Sequence, residues 1–237
     1  ETRNFSGSVA LIFQPAEEFG GGGRVMCEEG IMDRFDISQV YALHNAPGTP
    51  VGHFYTNAGP IMAAQDTFRI FIKGQGGHGA MPHETRDPVV AALGIATALQ
   101  TIVSRNHYAF NELVLSVTQV QTGSADNVIP EYAFVGGTVR TYDKDVQKMV
   151  MRRMQQIVDG QAAAFDVEAK LEYEVGYPAT INHAAETEFA ASVAAEIVGP
   201  DAVEAASTPE MGAEDFAYML EERPGCYLFI GNGDSAG

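Results

Sequence analysis

The stretch Thr67–Val90, TFRIFIKGQGGHGAMPHETRDPVV, is where the hydrophobic pattern of the chain changes its period. Its first seven residues, TFRIFIK, alternate between exposed and buried types, as expected for a strand with one buried face. A glycine-rich loop follows. Asp87 and Pro88 then supply an N-cap and a first-turn proline, which predict a helix that continues to about Arg105. The stretch therefore predicts the first strand and helix of a new domain.

The segment that follows this helix completes a recognisable order of elements. The pattern predicts strands at Leu113–Val120, Tyr132–Thr141 and Val167–Val175, and a helix that Asp143 caps and that ends near Phe165. Together with the first strand and helix, the order is β-α-β-β-α-β, which is typical of a ferredoxin-like domain. We therefore expect an inserted domain over residues 63–177.

The flanking segments share a different pattern, in which short apolar strands alternate with helices. Before the insertion we predict strands at Ser8–Phe13, Gln39–His44 and Val51–Thr56 and a short helix at Arg24–Glu29. After it we predict helices at Glu186–Val198 and Gly212–Glu222 and a strand at Cys226–Gly231. This pattern favours an open α/β sheet with a parallel portion. The predicted fold class is α/β, with residues 1–62 and 178–237 forming one domain that the ferredoxin-like domain interrupts.

The composition narrows the classes of protein. The 237 residues are 46% hydrophobic and 19% charged, which indicates a globular chain with a buried core. The net charge of −17 argues against binding to nucleic acid or to anionic membranes. We see no uninterrupted apolar run of the roughly 18–20 residues that a membrane span needs. The two cysteines, without a CxxC pair, favour a reduced, cytoplasmic setting.

An adjacent pair of acids, Glu17 and Glu18, stands in the sequence LIFQPAEEFGGGG (Leu11–Gly23). The pair follows a predicted strand, and ligands of open α/β sheets bind at the carboxyl ends of strands. One carboxylate can bind a metal while the other acts as a general base. His44, at the end of the next predicted strand, has the chemistry of a metal ligand. The alternatives are an acidic turn and an ordinary loop histidine.

Three further residues have side chains that suit the binding of a polar substrate. Glycines on both sides of His78 leave its imidazole exposed, so that it can donate to a carbonyl oxygen. Arg140 and Asn127 together could hold a carboxylate, since arginine binds carboxylates through two parallel hydrogen bonds. The alternatives are a flexible loop for His78 and an ordinary salt bridge for Arg140. The glycines Gly20–Gly23 do not have the spacing of a phosphate-binding loop, and we interpret them as room for the backbone beside the acidic pair.

Seven motifs in order connect these residues to a known family. They are QPAEE, ALHN, GGHGAMPH, DPV, NVIPE, GTVRTYD and MGAEDFAYML. With them the chain resembles the metal-dependent aminoacylase and carboxypeptidase superfamily over nearly its whole length. The similarity is to the amidohydrolase branch, which includes hippurate hydrolases, N-acyl-amino-acid amidohydrolases and auxin-conjugate hydrolases.

The resemblance implies a role for each candidate residue near the acidic pair. Glu17 is similar to the general base that activates the hydrolytic water. Glu18 and His44 are similar to metal ligands. Glu214, in MGAEDF, lies in a motif that lines the same cleft and is assigned to substrate binding.

The resemblance also implies roles within the inserted domain, which corresponds to a lid and dimerisation domain. His78 is similar to the histidine that reaches the active site of the neighbouring subunit and stabilises the oxyanion. Asn127 and Arg140 are similar to residues that bind the carboxylate of the substrate. The partners implied are a small N-acyl amino acid and a second copy of the chain, in a homodimer that forms through the lid domain.

The family also carries an upstream motif, HxCGHD, and a C-terminal histidine ligand, which have no counterpart in this sequence. We therefore expect a fragment whose metal site and α/β domain are incomplete. For the intact enzyme the expected function is hydrolysis of the amide bond of N-acyl amino acids by a metal-activated water, with zinc or manganese and two ions per site. The alternative is a truncated, non-catalytic remnant of the same fold that acts as a dimerisation or carboxylate-binding module.

Overall fold

The computed structural model describes residues 6–18 and 20–234, which form a mixed α/β structure. The helices are α1 (Gly22–Glu28), α2 (Ile31–Arg34), α3 (Pro88–Thr101), α4 (Lys144–Ala164), α5 (Ala184–Val198) and α6 (Ala217–Glu222). The strands are β1 (Val40–Ala46), β2 (Phe54–Tyr55), β3 (Gly59–Met62), β4 (Ala64–Lys73), β5 (Gly77–His78), β6 (Leu113–Thr122), β7 (Val128–Ile129), β8 (Tyr132–Thr141), β9 (Glu168–Val175), β10 (Thr180–Asn182), β11 (Val203–Glu204) and β12 (Gly225–Gly231). The predicted fold class, α/β, is confirmed.

The chain divides into two compact units. The first contains the residues up to Met62 and those from Tyr177 onward, and the second contains Ala63–Gly176. Each unit has a hydrophobic cluster of its own.

The second unit is a four-stranded sheet with two helices. The strand order is β6-β8-β4-β9, and every neighbouring pair is antiparallel. This is the ferredoxin-like arrangement, in which each β-α-β crossover encloses a strand of the other. β4 is one of the two central strands. Its apolar side chains Phe68, Ile70 and Ile72 are almost completely buried and lie in one cluster with side chains of α3 and α4. The alternation in TFRIFIK thus marks the buried face of the strand.

Both helices of this unit begin at the residues that the sequence indicates. The side chain of Asp87 accepts the N–H of Val89 at 2.8 Å, and Pro88 occupies the first turn of α3. The side chain of Asp143 accepts the N–H of Asp145 at 2.6 Å and so caps α4. An aspartate at the N-cap satisfies an N–H group that has no partner within the helix.

One helical stretch, Pro88–Asn106, is long and apolar enough to cross a membrane by length and composition. It consists of α3 and the π-helical turn that continues it. Its residues Ile95, Leu99 and Ile102 are fully buried in the core of the second unit. The core helix of a soluble domain passes the same test, so the stretch is weak support for a membrane span.

The first unit contains a mixed four-stranded sheet in the order β1-β12-β2-β11. β1 and β12 are parallel and pair residue by residue from Val40 with Gly225 to Ala46 with Gly231. β12 and β2 are antiparallel, and β2 and β11 are parallel. A separate two-stranded sheet joins β3 and β10. The sheet has the parallel portion that the sequence predicts.

The predicted buried strand at Ser8–Phe13 is wrong for the structure described. These residues have no regular secondary structure, and the side chains of Val9, Leu11 and Phe13 are 72%, 80% and 86% exposed. Only Ile12 of this segment packs against the core cluster of the first unit. A segment with β propensity becomes a strand when a neighbouring strand accepts its hydrogen bonds. Among the described residues no strand pairs with this segment.

Candidate active site

Three carboxylates that are far apart in the sequence meet in the first unit. One oxygen each of Glu17, Glu214 and Asp215 lies within 4.8 Å of the other two. Glu17 lies in the acidic loop, which we define as residues 14–23, and the other two precede α6. Glu214 and Asp215 are buried, with 6% and 0% of their surface exposed, whereas Glu17 is partly exposed.

The glycines of the acidic loop allow this approach. The N–H of Gly23 donates to Asp215 Oδ2 at 2.6 Å. A Cβ atom at Gly23 would lie 2.8 Å from the backbone oxygen of Asp215, and one at Gly22 would lie 1.8 Å from the backbone oxygen of Pro15. Both distances are below normal contact, so side chains at these positions would displace the backbone. Gly22 and Gly23 are thus required by close packing beside the acidic pair.

The two buried carboxylates are satisfied by neutral donors. Glu214 accepts hydrogen bonds from Gln14 Nε2 at 3.1 Å and from the hydroxyl of Tyr227 at 2.8 Å. Its Oε1 atom also accepts the backbone N–H of Phe216 at 3.0 Å. Gln14 donates to Asp215 as well. Because neutral donors stabilise these carboxylates without cancelling their charge, they leave a negative field beside Glu17.

The bonds of Glu214 explain a correction to the predicted helix at Gly212–Glu222. The helix begins only at Ala217. Residues 212–216 lie outside the helix, and there Glu214 accepts the N–H group two residues ahead. Acidic side chains that bond nearby backbone groups compete with helix formation in this way.

Burial is the largest cause that raises the pKa of Glu17, and the charges of Glu214, Glu18 and Asp215 raise it further. The charge of His44 lowers the pKa of Glu17. Burial also raises the pKa of Asp215, although its hydrogen bond from Gly23 opposes the shift. A carboxylate with a raised pKa accepts a proton more readily, which is the property required of a general base near neutral pH.

His44 presents one ring nitrogen to a possible ligand. The residue is exposed and lies in β1, beside Phe229 of the parallel strand β12. Its Nδ1 atom is 2.7 Å from the backbone oxygen of Asn45. Because a carbonyl oxygen only accepts, Nδ1 carries a proton, and in the neutral ring Nε2 keeps its lone pair. Metal-binding histidines are commonly oriented by such a bond to the backbone.

Glu18 and His44 fit a partial metal site by the chemistry of their donor atoms. Glu18 is exposed in the turn next to Glu17, and His44 offers Nε2. Carboxylate oxygen and imidazole nitrogen both suit zinc and manganese. The oxygens of Glu214 and Asp215, in contrast, accept hydrogen bonds from protein donors. Among the described residues, the acids that lie close enough together to hold a metal ion are Glu17, Glu214 and Asp215. Glu18 and His44 stay predicted ligands, on the chemistry of their donor atoms.

In the second unit, His78 and Asn127 lie in neighbouring segments. His78 is exposed and pairs with Val128 across the short β5–β7 ladder, and the N–H of Gly79 donates to the backbone oxygen of Asn127 at 2.8 Å. The N–H of Ala80 donates to His78 Nδ1 at 3.1 Å. Nδ1 therefore lacks a proton, and the neutral ring carries its proton on Nε2 as an exposed donor.

Arg140 lies in β8 and is half-buried. Its Nη1 atom donates to Gln65 Oε1 at 2.9 Å, and Gln65 is its cross-strand neighbour in β4. Burial lowers the pKa of Arg140, and the charge of Asp66 opposes this shift. Within residues 6–18 and 20–234 no carboxylate is within ion-pair distance of the guanidinium. The ordinary salt bridge that is the alternative interpretation of Arg140 is thus absent from this part of the chain.

Several residues that shape the site escape analysis of the sequence. Asp215, Gln14 and Tyr227 hold the acidic cluster together, yet none of them is among the predicted site residues. A signal exists for Asp215, since the motif MGAEDF repeats the adjacent acids of QPAEE. Nothing in the local sequence marks Tyr227, which lies in the apolar strand CYLFIG.

Comparison with known proteins gives a consistent set of relatives. The chain is 37% identical over 231 residues to a hippurate hydrolase of Campylobacter jejuni and 39% identical over 225 residues to an N-acetylcysteine deacetylase of Bacillus subtilis. These alignments cover 98% and 95% of the chain, but only 60% and 58% of the relatives.

A solved structure from Bacillus subtilis, described as a dinuclear metal binding peptidase from the M20 family, has a TM-score of 0.76 and 32% identity. The match covers 92% of this chain and 54% of that one.

The family follows from the whole sequence. All residues from 1 to 237 match the family described as peptidase family M20/M25/M40. The chain therefore belongs to this family, which agrees with the resemblance carried by the seven motifs. It spans less than two thirds of the length of the relatives named above.

Proposed function

We propose that the full-length protein hydrolyses the amide bond of N-acyl amino acids. The observation that carries this proposal is the position of Glu17, which lies within 4.8 Å of two buried carboxylates and next to the candidate metal ligand Glu18. Membership of a family with a hippurate hydrolase and an N-acetylcysteine deacetylase among its relatives supports the type of bond. A cytoplasmic location is part of this proposal.

In this mechanism Glu17 acts as the general base. It takes a proton from the attacking water and delivers it to the nitrogen of the leaving amine. Glu18 and His44 would hold a divalent ion, zinc or manganese, and the intact enzyme would use two ions. A bound ion supplies a lowered pKa for water and polarises the carbonyl group. Glu214 accepts hydrogen bonds beside Glu17 and lines the place where the substrate binds.

Residues of the second unit would bind the substrate. His78 has a proton on Nε2, so it can donate to the oxyanion that forms on the amide carbonyl. Arg140, without an acidic partner among the described residues, can hold the substrate carboxylate together with Asn127. Partial burial costs the guanidinium of Arg140 hydrogen bonds to water, and two parallel hydrogen bonds to a carboxylate would replace them.

A homodimer through the second unit is part of the proposal, with His78 of one subunit serving the site of the other. The outward face of α3 supports it, because Val90 and Leu93 are 48% and 56% exposed. α3 contains no charged residue. Light scattering of the purified protein tests this element, since a monomeric mass at micromolar concentration would reject it.

The test is a hydrolysis screen with N-acetyl and N-benzoyl amino acids, run on the protein extended at both ends with zinc or manganese. We expect turnover that a chelator abolishes. Glu17→Gln should lower kcat by at least ~100-fold, which is the magnitude of general-base catalysis. Near-normal turnover of this variant would reject the role of Glu17.

A second candidate is a non-catalytic module that binds carboxylates. The observation in its favour is the guanidinium of Arg140, which bonds the Gln65 side chain and forms no ion pair within the described residues. Calorimetry with an N-acyl amino acid separates the two. Binding without any product in the extended protein supports the module, and release of the free amino acid supports the enzyme.

A further inference from the structure

The hydroxyl group of Tyr177 closes the acidic loop from the side. It accepts the backbone N–H of Gly21 at 3.1 Å and donates to the backbone oxygen of Glu17 at 2.5 Å. One oxygen atom thus joins two backbone groups that are four positions apart in the loop. Tyr177 itself is the first residue of the second segment of this unit, 160 positions from Glu17.

The bond to Glu17 acts on its main chain, which determines where its side chain leaves the backbone. Fixing the carbonyl oxygen of Glu17 also fixes the peptide plane that leads to Glu18, because the peptide group is planar. The directions of both carboxylates therefore depend on the hydroxyl of Tyr177.

The ring of Tyr177 is held in turn by packing. It meets the ring of Tyr218 from α6 edge to face, with centroids 6.2 Å apart and an interplanar angle of 80°. The ring also lies close to Gly21, where an added Cβ atom would be 3.3 Å from Tyr177 Cε1. Gly21 has a φ of 63°, in the left-handed region that glycine adopts readily. The loop residue that receives the tyrosine thus has both the space and the conformation for it.

Asp215 holds the two ends of the same loop through two hydrogen bonds. Asp215 accepts the side chain of Gln14 at the beginning of the loop and the N–H of Gly23 at its end. Tyr177 contacts the middle, between these two positions. The contacts come from different parts of the chain, so the removal of the hydroxyl leaves the loop ends in place and affects only the segment that carries the acids.

We infer that Tyr177 is a positioning residue, whose hydroxyl keeps the carboxylates of Glu17 and Glu18 aligned for the proposed hydrolysis. The inference rests on the proposed function for its catalytic consequence. Tyr177 acts through the loop backbone and does not contact the reacting atoms in this role. Such supporting residues typically contribute ~10- to 100-fold to activity or metal affinity.

The first arm of the test measures the loop itself in the 237-residue chain. Tyr177→Phe removes one oxygen and keeps the ring, so the packing against Tyr218 is preserved. Tyr41→Phe is the matched control, because the Tyr41 hydroxyl is exposed and, within the described part of the chain, bonds only to the Gln39 side chain. Amide hydrogen exchange of Gly21 should be at least ~10-fold faster in Tyr177→Phe, since the amide loses its acceptor. The control should match the wild type.

The second arm measures kinetics in the protein extended at both ends. We expect Tyr177→Phe to lower kcat by at least ~10-fold with KM within about twofold, because the loop aligns the base rather than binding the substrate. Tyr41→Phe should change neither constant. A purely structural role would lower the amount of folded enzyme and leave kcat per folded molecule unchanged.

The two arms separate failure of this inference from failure of the proposed function. Unchanged exchange at Gly21 overturns the inference, and so does faster exchange with an unchanged kcat. If the extended wild-type protein hydrolyses no N-acyl amino acid, the proposed function fails, and the exchange arm alone decides whether Tyr177 holds the acidic loop.

Discussion

Asp215 and Gly23 are joined by a hydrogen bond in which the glycine N–H donates to Asp215 Oδ2 at 2.6 Å. The bond connects the first turn of α1 to the segment before α6, and it places the acidic loop against a fully buried carboxylate. Only a residue without a side chain comes this close, since an added Cβ atom would be 2.8 Å from the backbone oxygen of Asp215.

Gly23→Ala should therefore destabilise the first unit, by about 1–3 kcal/mol in the free energy of unfolding, as overpacking does elsewhere. Gly20→Ala is the matched control, because the nearest atom to its added Cβ would be at 3.8 Å. We expect that variant to change stability by less than about 1 kcal/mol. Urea unfolding of both variants provides the measurement, and equal effects would contradict the role of close packing at Gly23.

His44→Ala should weaken binding of zinc or manganese to the extended protein by more than ~10-fold, since Nε2 of His44 is the available ring nitrogen. His107→Ala is the control, because His107 is also partly exposed but lies in the second unit. Metal content after dialysis against a buffered metal ion provides the measurement. Retention of metal in His44→Ala would remove this residue from the ligands.

Arg140→Ala should raise KM for an N-acyl amino acid by ~10- to 100-fold, the effect of losing a charged hydrogen bond worth about 1.5–3 kcal/mol. Arg69→Ala is the comparison, since Arg69 lies on the neighbouring strand β4 and forms an exposed ion pair with Glu174 at 3.0 Å. Such exposed pairs contribute little, so KM should stay near the wild-type value. Steady-state kinetics of both variants tests the assignment, and a lower kcat with an unchanged KM in Arg140→Ala would argue against it.

Cys27 should make stability depend on pH in alkaline solution. Burial, followed by the charge of Glu222, raises the pKa of its thiol from 9.0 to about 11. The unfolded chain therefore loses this proton first, and its contribution to stability is present below pH 9 and is lost as the pH rises towards 11. We expect the free energy of unfolding of the wild type to fall over this window relative to Cys27→Ala. Urea unfolding at several pH values would show parallel curves if the prediction is wrong.

The elements of the second unit could be predicted well because their signals are local. The aspartates at positions 87 and 143 act on backbone N–H groups two or three positions ahead, and the alternation in TFRIFIK has the period of a strand. The segment Ser8–Phe13 shows the limit of such signals. Its apolar residues predict a strand, but strand formation depends on a partner that hydrogen-bonds along its length.

The sequence likewise predicts only part of the candidate site. QPAEE and MGAEDF contain acids that are far apart in the sequence, and the order of the motifs indicates the family. They do not reveal that Glu17 lies within 4.8 Å of Asp215, or that Tyr177 bridges the loop between Glu17 and Gly21.

By itself the sequence determined the α/β class, the caps, the alternating strands and the family, since each depends on neighbours in the chain or on the order of motifs. The tertiary structure alone decided which residues surround Glu17, and that Arg140 bonds an amide rather than an acid. These properties depend on burial and on contacts between distant residues, because a hydrogen-bond partner or a pKa is a property of the folded surroundings and not of the local sequence.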